Sequence, residues 1–196
     1  MKFFVVGLGN PGKEYENTRH NVGKMFLDHF FRAYKGEKWE ENKKVKAEVA
    51  PLSIGKHEIS LIFPLTMMNN SGRAVAPFIK SKKDLERLVV VHDDLDLPLG
   101  RYKISFGKNS GGHHGVESIM RALKSKDFIR VRLGISRETP GGKLKKPSGE
   151  KAVVSLILGK FKEGEMAALK KEFKKIGEGL EVFVKDGKDR MMSEFN

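Results

Sequence analysis

The chain has 196 residues, of which 39% are hydrophobic and 32% are charged, a balance typical of a globular domain and not of a disordered or membrane-embedded chain. It contains no cysteine, which excludes a disulfide framework, a thiol nucleophile and a thiolate zinc site. Lys and Arg number 38 against 25 Asp and Glu, and the formal charge of +13 favours a polyanionic partner, most often a nucleic acid.

No apolar run in the sequence approaches the roughly 20 residues that a membrane-spanning helix needs. A basic stretch followed by an apolar one, as in a secretory leader, is also missing after Met1. The lack of cysteine fits a reducing compartment. These features predict a cytoplasmic protein with no membrane partner.

The first third of the chain alternates strand and helix signals. The continuous apolar run over 2–8 (KFFVVGL) predicts a buried strand. Apolar residues at helical spacing predict a helix over 20–35. Two strand-like stretches, 45–54 and 58–63, are separated by a Gly-Lys pair and predict a hairpin.

The middle of the chain continues the alternation. Apolar residues on one face predict a helix over 70–81, and the run LVVV predicts a second buried strand over 88–91. Alternating residues predict strands over 101–106 and 129–135. Between them, a glycine-rich stretch leads into a helix over 116–123 with apolar residues at i, i+3, i+4 and i+7.

The last third contains a basic loop and a helical segment. Residues 137–150 combine Pro, Gly and Lys and are expected to be mobile. An amphipathic helix is predicted over 162–186, within a C-terminal helical segment that covers 162–196. Alternation of strands and helices predicts one α/β domain over 1–196, with a twisted, mixed, largely parallel sheet and helices on both faces.

Ligands bind α/β sheets at the carboxyl ends of the strands, which makes the loop over 9–20 a candidate site. Its glycines do not form G-x-G-x-x-G at a helix start, so dinucleotide binding is not predicted. Thr18 is predicted to cap the next helix. His20 then lies in the first turn, where the helix dipole disfavours imidazolium and keeps the ring basic. The alternative is a structural histidine.

Acidic residues follow the predicted strand over 88–91, in the stretch His92 to Asp96. A carboxylate next to a buried strand is costly to place without a partner. Asp93 is therefore predicted to accept the Nδ1 proton of His20 and to fix the tautomer whose Nε2 faces water. The alternative is a turn, since Asp and Pro favour turns. The spacing matches no common zinc or calcium loop, so no metal site is predicted.

Amides on two loops complete the set of polar candidates. Asn10 lies in the first loop, and Asn69 follows the strand over 58–63, where its amide could donate to a developing oxyanion or cap the next helix. Glycines over 111–115 open another helix and suit an anion. No G-x-S-x-G motif is present, so a covalent acyl-enzyme is not expected. The set predicts attack of an activated water on an acyl group.

Long motifs are found in order along nearly the whole chain. They are VVGLGNPGKEYENTRHNVG (5–23), PLTMMNNSGRAV (64–75), VVVHDDLDLPLGRYKI (89–104), GKNSGGHHGVESI (107–119) and VRLGIS (131–136). Together with the ending DRMMSEFN, they make this sequence resemble the bacterial-type peptidyl-tRNA hydrolase family.

The resemblance implies an enzyme that hydrolyses the ester between a peptidyl group and the 3′ ribose of tRNA, and so recycles tRNA from aborted translation. It implies a domain that is usually monomeric, without cofactor, metal or obligate protein partner. The catalytic base of the family matches His20, and the aspartate that orients it matches Asp93. The substrate-positioning asparagines match Asn10 and Asn69, and Tyr15 matches a tyrosine that packs near the tRNA 3′ end.

Two positions depart from the family pattern. The family usually has Asn after the GGH of the glycine-rich loop, where this chain has His114, which can also donate one hydrogen bond and accept another. Ser105 takes the place of a lysine that the family ties to the tRNA 5′ phosphate. The phosphate-contacting arginine matches Arg132, with Lys103 and Lys108 as the nearby lysine candidates.

The competing interpretation is a catalytically silent RNA-binding protein on the same scaffold, similar to the group II intron splicing factors of chloroplasts. A pure binder has no need of a His–Asp pair on two different loops. The joint presence of Asn10, His20, Asn69 and Asp93 therefore favours the enzyme.

Overall fold

The computed structural model describes residues 1–196. Seven strands form one sheet in the order β2-β3-β4-β1-β5-β7-β6, and a short eighth strand pairs with the end of β7. The strands are β1 (Lys2–Gly7), β2 (Glu40–Asn42), β3 (Ala47–Ile54), β4 (His57–Pro64), β5 (Leu88–Pro98), β6 (Tyr102–Phe106), β7 (Ile129–Glu138) and β8 (Leu144–Lys145).

The four central strands, β4, β1, β5 and β7, run parallel, and the outer strands are antiparallel to their neighbours. Seven α-helices accompany them. They are α1 (Val22–Ala33), α2 (Ser71–Val75), α3 (Lys82–Glu86), α4 (His114–Leu123), α5 (Glu150–Leu158), α6 (Glu163–Asp186) and α7 (Lys188–Phe195). No helix is both long and apolar enough to cross a membrane.

Apolar side chains cover both faces of the sheet. On one face, α1 and α6 pack against alternate residues of the central strands in a cluster of 26 buried residues. On the other face, α2 and α4 contribute to a cluster of 13. Because central strands alternate their side chains between two covered faces, they need continuous apolar runs such as Val5–Val6 and Val89–Val91. The predicted α/β sheet with helices on both faces is confirmed.

The start of α1 lies against the carboxyl ends of β1 and β5 at very close range. Gly23 makes this approach possible, because a Cβ there would overlap the Val91 carbonyl oxygen and the Leu8 nitrogen. The helix can therefore begin directly over the edge of the sheet, which brings the residues just before it close to β5.

Two element predictions are wrong in extent. The helix predicted over 70–81 stops at Val75, and a 3-10 turn follows over 76–78, because Pro77 has no N–H to continue the helical hydrogen bonds. The loop predicted after Val91 is the second half of β5, which pairs with β7 through Asp94 and resumes at Pro98 after a bulge. Asp93 therefore lies within a strand.

The C-terminal part contains elements that the sequence did not predict. The segment 137–150 includes a small hairpin in which β8 pairs with Arg137 and Glu138 of β7; its mobility stays a prediction. Helix α5 follows with no buried residue. Helix α6 begins one residue later than predicted and ends at Asp186 as predicted.

Candidate active site

The carboxyl edge of the sheet brings His20 and Asp93 together. His20 lies in a 3-10 turn over 19–21 that leads into α1, and Asp93 lies on β5. The His20 Nδ1 atom is 2.9 Å from Asp93 Oδ1 and 3.0 Å from Asp93 Oδ2. Thr18 is the N-cap residue of this turn, as predicted, but its side chain caps no backbone N–H, since its hydroxyl donates to the Tyr15 carbonyl at 2.8 Å.

A second histidine shares the same carboxylate. His113 Nε2 lies 2.8 Å from Asp93 Oδ1, and its Nδ1 accepts the Val116 N–H at 3.3 Å as the N-cap of α4. Because Nδ1 is the acceptor, Nε2 carries the proton that points to Asp93. Sequence analysis did not assign His113; its signal is the histidine directly after a glycine pair at a helix start.

The pKa of the buried Asp93 carboxylate and that of His20 are both shifted from their ordinary values. Burial alone would raise the pKa of Asp93, but the nearby His20 and His113 and their hydrogen bonds bring it well below its ordinary value. Burial lowers the pKa of His20, while the charge and hydrogen bond of Asp93 raise it, with a net increase above 6.5. An ionised Asp93 accepts the proton on His20 Nδ1, so the lone pair of the neutral ring is on Nε2.

A third histidine stands behind this pair. His92 is fully buried and donates from Nδ1 to the Asp93 carbonyl oxygen at 2.7 Å. Its ring packs edge-on against His113 with centroids 4.7 Å apart, and its Nε2 has no partner. Burial lowers its pKa well below 6.5, so His92 stays neutral and supports His113 from inside the sheet.

The His20–Asp93 pair opens into a pocket of about 270 Å³ between the glycine-rich loop and α5. His114 stands on its rim with 78% of its side chain exposed, and its Nδ1 lies 3.5 Å from Glu117 Oε2. Acidic residues, glycines, one serine and apolar residues line the rest of the pocket. They are Asp94, Leu95, Asp96, Ser110, Gly111, Gly112, Glu150, Val153, Val154 and Ile157.

The other predicted substrate-binding residues lie outside this pocket. Asn10 lines a separate polar cavity, and its Oδ1 accepts the Met68 N–H at 2.8 Å. Asn69 is exposed in the adjacent 3-10 turn and accepts from the Asn70 amide at 3.3 Å; its side chain caps no helix. Tyr15 is half-buried at the end of another 3-10 turn. Their substrate contacts stay predictions.

The predicted phosphate-binding residues lie on neighbouring strands. Lys103 of β6 stands opposite Arg132 of β7, and Arg132 Nε donates to Asp94 Oδ2 at 2.7 Å. Lys103 and Lys108 are exposed and have no carboxylate within 4.0 Å. Directly opposite residues of an antiparallel pair share a face, so Lys103 and Arg132 present one basic surface, and Lys108 lies in the loop that follows β6.

The position of Ser105 has a local structural reason. Ser105 pairs with Arg130 of β7, and both are buried. Arg130 occupies the space on this face and donates from Nη2 to the Asn109 carbonyl oxygen at 2.7 Å. A small side chain at 105 makes room for the Arg130 guanidinium. In the facing pair Ser105–Arg130, the basic side chain therefore belongs to β7.

An ion pair anchors the turn that carries His20. The Arg19 guanidinium donates to both carboxylate oxygens of Glu165 at 2.8 and 2.7 Å, and it lies over the Phe161 ring at 4.7 Å. The Arg19 side chain is 3% exposed and that of Glu165 is 16% exposed. The pair fixes the 3-10 turn to the first turn of α6.

We expect Glu165→Gln to destabilise the protein, because it leaves the buried Arg19 without a counter-charge. Breaking a fully buried pair costs about 3–5 kcal/mol; the partial exposure of Glu165 reduces the expected loss to about 2–3 kcal/mol. For a domain of this size the melting temperature should fall by roughly 5–10 °C, as measured by thermal unfolding. Glu163→Gln in the same helical turn is the matched control, since Glu163 is exposed and should leave Tm nearly unchanged. Equal Tm values for both variants would contradict the anchoring role.

The atoms of His20, Asp93 and His113 that could ligate a metal ion lie within 4.8 Å of one another. These residues form the only cluster of this kind. The contacts of 2.8–3.0 Å in this cluster are those of hydrogen bonds, with both ring protons directed at the carboxylate. A proton-holding network therefore accounts for the arrangement.

Known proteins resemble this chain over its whole length. A sequence model of the family described as peptidyl-tRNA hydrolase matches residues 4–196. A peptidyl-tRNA hydrolase of Syntrophomonas wolfei is 40% identical over 193 residues, covering 98% of each chain. One of Aquifex aeolicus is 42% identical over 173 residues, covering 87% of this chain and 84% of the relative.

A solved structure has the same fold. The crystal structure of peptidyl-tRNA hydrolase from Acinetobacter baumannii superposes with a TM-score of 0.87 at 28% identity, covering 99% of this chain and 94% of the other. The motifs, the sheet and the full-length similarity agree, and the chain belongs to the peptidyl-tRNA hydrolase family.

Proposed function

We propose that this chain hydrolyses the ester between a peptidyl group and the 3′ ribose of tRNA, with His20 as the base that activates water. The observation that carries the proposal is the His20–Asp93 contact of 2.9 Å at the pocket. Membership of the family supports the substrate. It also favours an enzyme over a silent RNA-binding protein, since relatives covering the whole chain carry the name of the hydrolase.

The proposed reaction uses one water and no covalent intermediate. His20 Nε2 removes a proton from water as the oxygen attacks the ester carbonyl, and Asp93 stabilises the imidazolium that forms. Collapse of the tetrahedral intermediate breaks the bond to the ribose oxygen, which receives the proton from His20. The products are a peptidyl carboxylic acid, which loses its proton to solvent, and a tRNA with its 3′ hydroxyl restored.

The size of the catalytic contributions fits an ester substrate. An oriented general base contributes about 10²–10⁴-fold, and an amide donor to the oxyanion contributes about 10²–10³-fold. Asn69 is the proposed donor. It lies in a polar 3-10 turn next to Met68, whose N–H donates to Asn10 Oδ1. Esters are more reactive than amides, so no covalent nucleophile is required.

The proposed tRNA contacts use backbone charge and not base sequence. Arg132 directs Nε to Asp94, which leaves its two terminal nitrogens for a phosphate, and Lys103 and Lys108 stand nearby. Asn10 and Tyr15 are proposed to hold the 3′ end. An enzyme that serves all tRNAs reads phosphates and shape. A cytoplasmic location and a monomeric state stay predictions.

The test is release of the acyl-amino acid from an N-acetylated aminoacyl-tRNA, with the unacetylated aminoacyl-tRNA as the comparison substrate and EDTA in every reaction. We expect selective release that resists the chelator. Tight binding of tRNA without any release would contradict the enzyme and favour the RNA-binding alternative. Loss of release with EDTA would contradict a water activated by His20 alone.

We expect His114→Asn to retain activity within about threefold of the unchanged protein. The His114 side chain is 78% exposed and makes only a 3.5 Å contact with Glu117, so the site is not built around it. Asn offers the same combination of one acceptor and a donor, whereas His114→Ala removes both and should raise KM. The measurement is kcat and KM for the acetylated substrate. Collapse of kcat in His114→Asn would show that His114 has its own catalytic task.

A further inference from the structure

A second cavity, strongly basic, lies on the other side of α5 from the catalytic pocket. Its volume is about 440 Å³, and it is an open groove lined by the β7–β8 hairpin, the α5 helix and the start of the chain segment that leads to α6. We call it the hairpin cavity. Its cationic lining residues are Arg19, Arg137, Lys145, Lys146 and Lys160.

The carboxylates near the hairpin cavity do not balance these cations. Glu165 binds Arg19 at 2.7 Å and lies 3.9 Å from Arg137. Asp96 binds Lys146 at 2.7 Å. Lys145 and Lys160 have no carboxylate within 4.0 Å. Five cations against two carboxylates leave an excess of three positive charges around one concave surface, which concentrates the field and attracts anions.

An ion pair and helix α5 link the hairpin cavity to the catalytic pocket. Asp96 lines the catalytic pocket, and its ion pair reaches Lys146 in the hairpin cavity. Helix α5 contributes Val153, Val154 and Ile157 to the lining of the catalytic pocket. It contributes Ser155 and Leu156 to the lining of the hairpin cavity. A substrate whose ester lies at His20 therefore has a basic surface within reach on the far side of this helix.

We propose that the hairpin cavity binds phosphate groups of the RNA backbone of the substrate, as a contact separate from the surface around Arg132. The identity of the RNA rests on the proposed function. Phosphate is the anion that a group of lysines with an arginine suits best, because lysine acts as a point charge and arginine adds a planar fork of donors. A free phosphate compound has the same chemistry, and the experiment below separates the two sources.

The test compares two double variants in tRNA binding and hydrolysis. Lys145→Gln with Lys160→Gln removes the two unpaired cations of the hairpin cavity. Lys82→Gln with Lys83→Gln is the matched control, because it removes two exposed lysines of α3, which leads into the opposite end of β5. Both are measured for Kd across a range of salt concentrations and for kcat and KM.

We expect the cavity variant to bind tRNA about tenfold more weakly at low salt and to retain kcat. The slope of log K against log salt should shrink by about 1.4–1.8, which corresponds to two lost phosphate contacts. The control should keep both values, so that the loss cannot be ascribed to net charge alone. Equal Kd and slope in the two variants would overturn the proposal.

Two further outcomes keep the inference distinct from its alternatives. Pyrophosphate that binds the unchanged protein but not the cavity variant, while both bind tRNA equally, would assign the hairpin cavity to a free phosphate compound and overturn the RNA contact. If the unchanged protein binds tRNA with a slope that depends on Lys145 and Lys160 but releases no acyl-amino acid, the proposed function fails while the RNA contact stands.

Discussion

Replacement of His20 by alanine is expected to lower kcat for the acetylated aminoacyl-tRNA by about 10²–10⁴-fold, the range that a general base contributes. The reason is structural. The Nδ1 proton of His20 is held by Asp93, so Nε2 is the free basic atom that faces the pocket. The neighbouring His113 cannot substitute for it, because its two nitrogens are engaged with Asp93 and with Val116.

The same variant should fold and bind tRNA with nearly unchanged affinity, since the proposed phosphate contacts are made by other residues, Arg132, Lys103 and Lys108. His29→Ala is the matched control: it removes the same side chain from α1, where His29 packs against Phe173, and should keep full turnover. Circular dichroism and tRNA titration verify the fold and binding. Turnover above a few per cent in a clean preparation of the His20 variant would contradict the assignment of the base.

The central sheet was predictable because buried parallel strands must be apolar on both faces. The runs at β1 and at the start of β5 show this directly. The second half of β5 was missed because its sequence, HDDLDLP, is polar and contains proline, which are loop signals. Pairing with β7 keeps these residues in a strand, and that partner is 38 or more residues away in sequence.

The helices show the same division between local and long-range causes. Helix α6 has a regular apolar stripe and was predicted almost to the residue. The premature end of α2 had a local signal in Pro77 that outweighs the apolar pattern over 70–81. The sequence of helix α5, EKAVVSLIL, is apolar on all sides, so it lacks the one-sided apolar pattern from which a helix is recognised.

The His20–Asp93 pair was predictable from its position at the carboxyl edge of the sheet, but its supporting contacts were not. Nothing local to the glycine-rich loop indicates that His113 turns its Nε2 to Asp93, 20 residues away. The Arg19–Glu165 pair joins residues 146 positions apart. Such contacts depend on the relative placement of whole elements, which periodicity and spacing do not specify.

Asp93→Asn is expected to lower kcat by about 10⁴-fold, the effect that the same replacement has in a hydrolytic triad. His20 Nδ1 contacts both oxygens of Asp93, and an asparagine replaces one of these oxygens by an N–H donor. Beside that donor, His20 Nδ1 is favoured as an acceptor, so the ring is driven toward the tautomer whose Nε2 is protonated and no longer basic. The fold should persist, as checked by thermal unfolding.

The pH profile of Asp93→Asn separates an orienting role from a merely structural one. In the unchanged protein, Asp93 raises the pKa of His20 above 6.5 against the effect of burial. Activity requires the neutral ring, so it should fall as pH decreases through that raised value. Without the charge, burial alone acts and lowers the pKa of His20, so the residual activity should persist to more acidic pH.

Asp94→Asn removes a neighbouring carboxylate that binds Arg132 instead of a histidine and should leave the acid limb where it is. An acid limb that is the same in Asp93→Asn as in the unchanged protein would show that His20 titrates independently of Asp93, and the proposed pair would have to be abandoned.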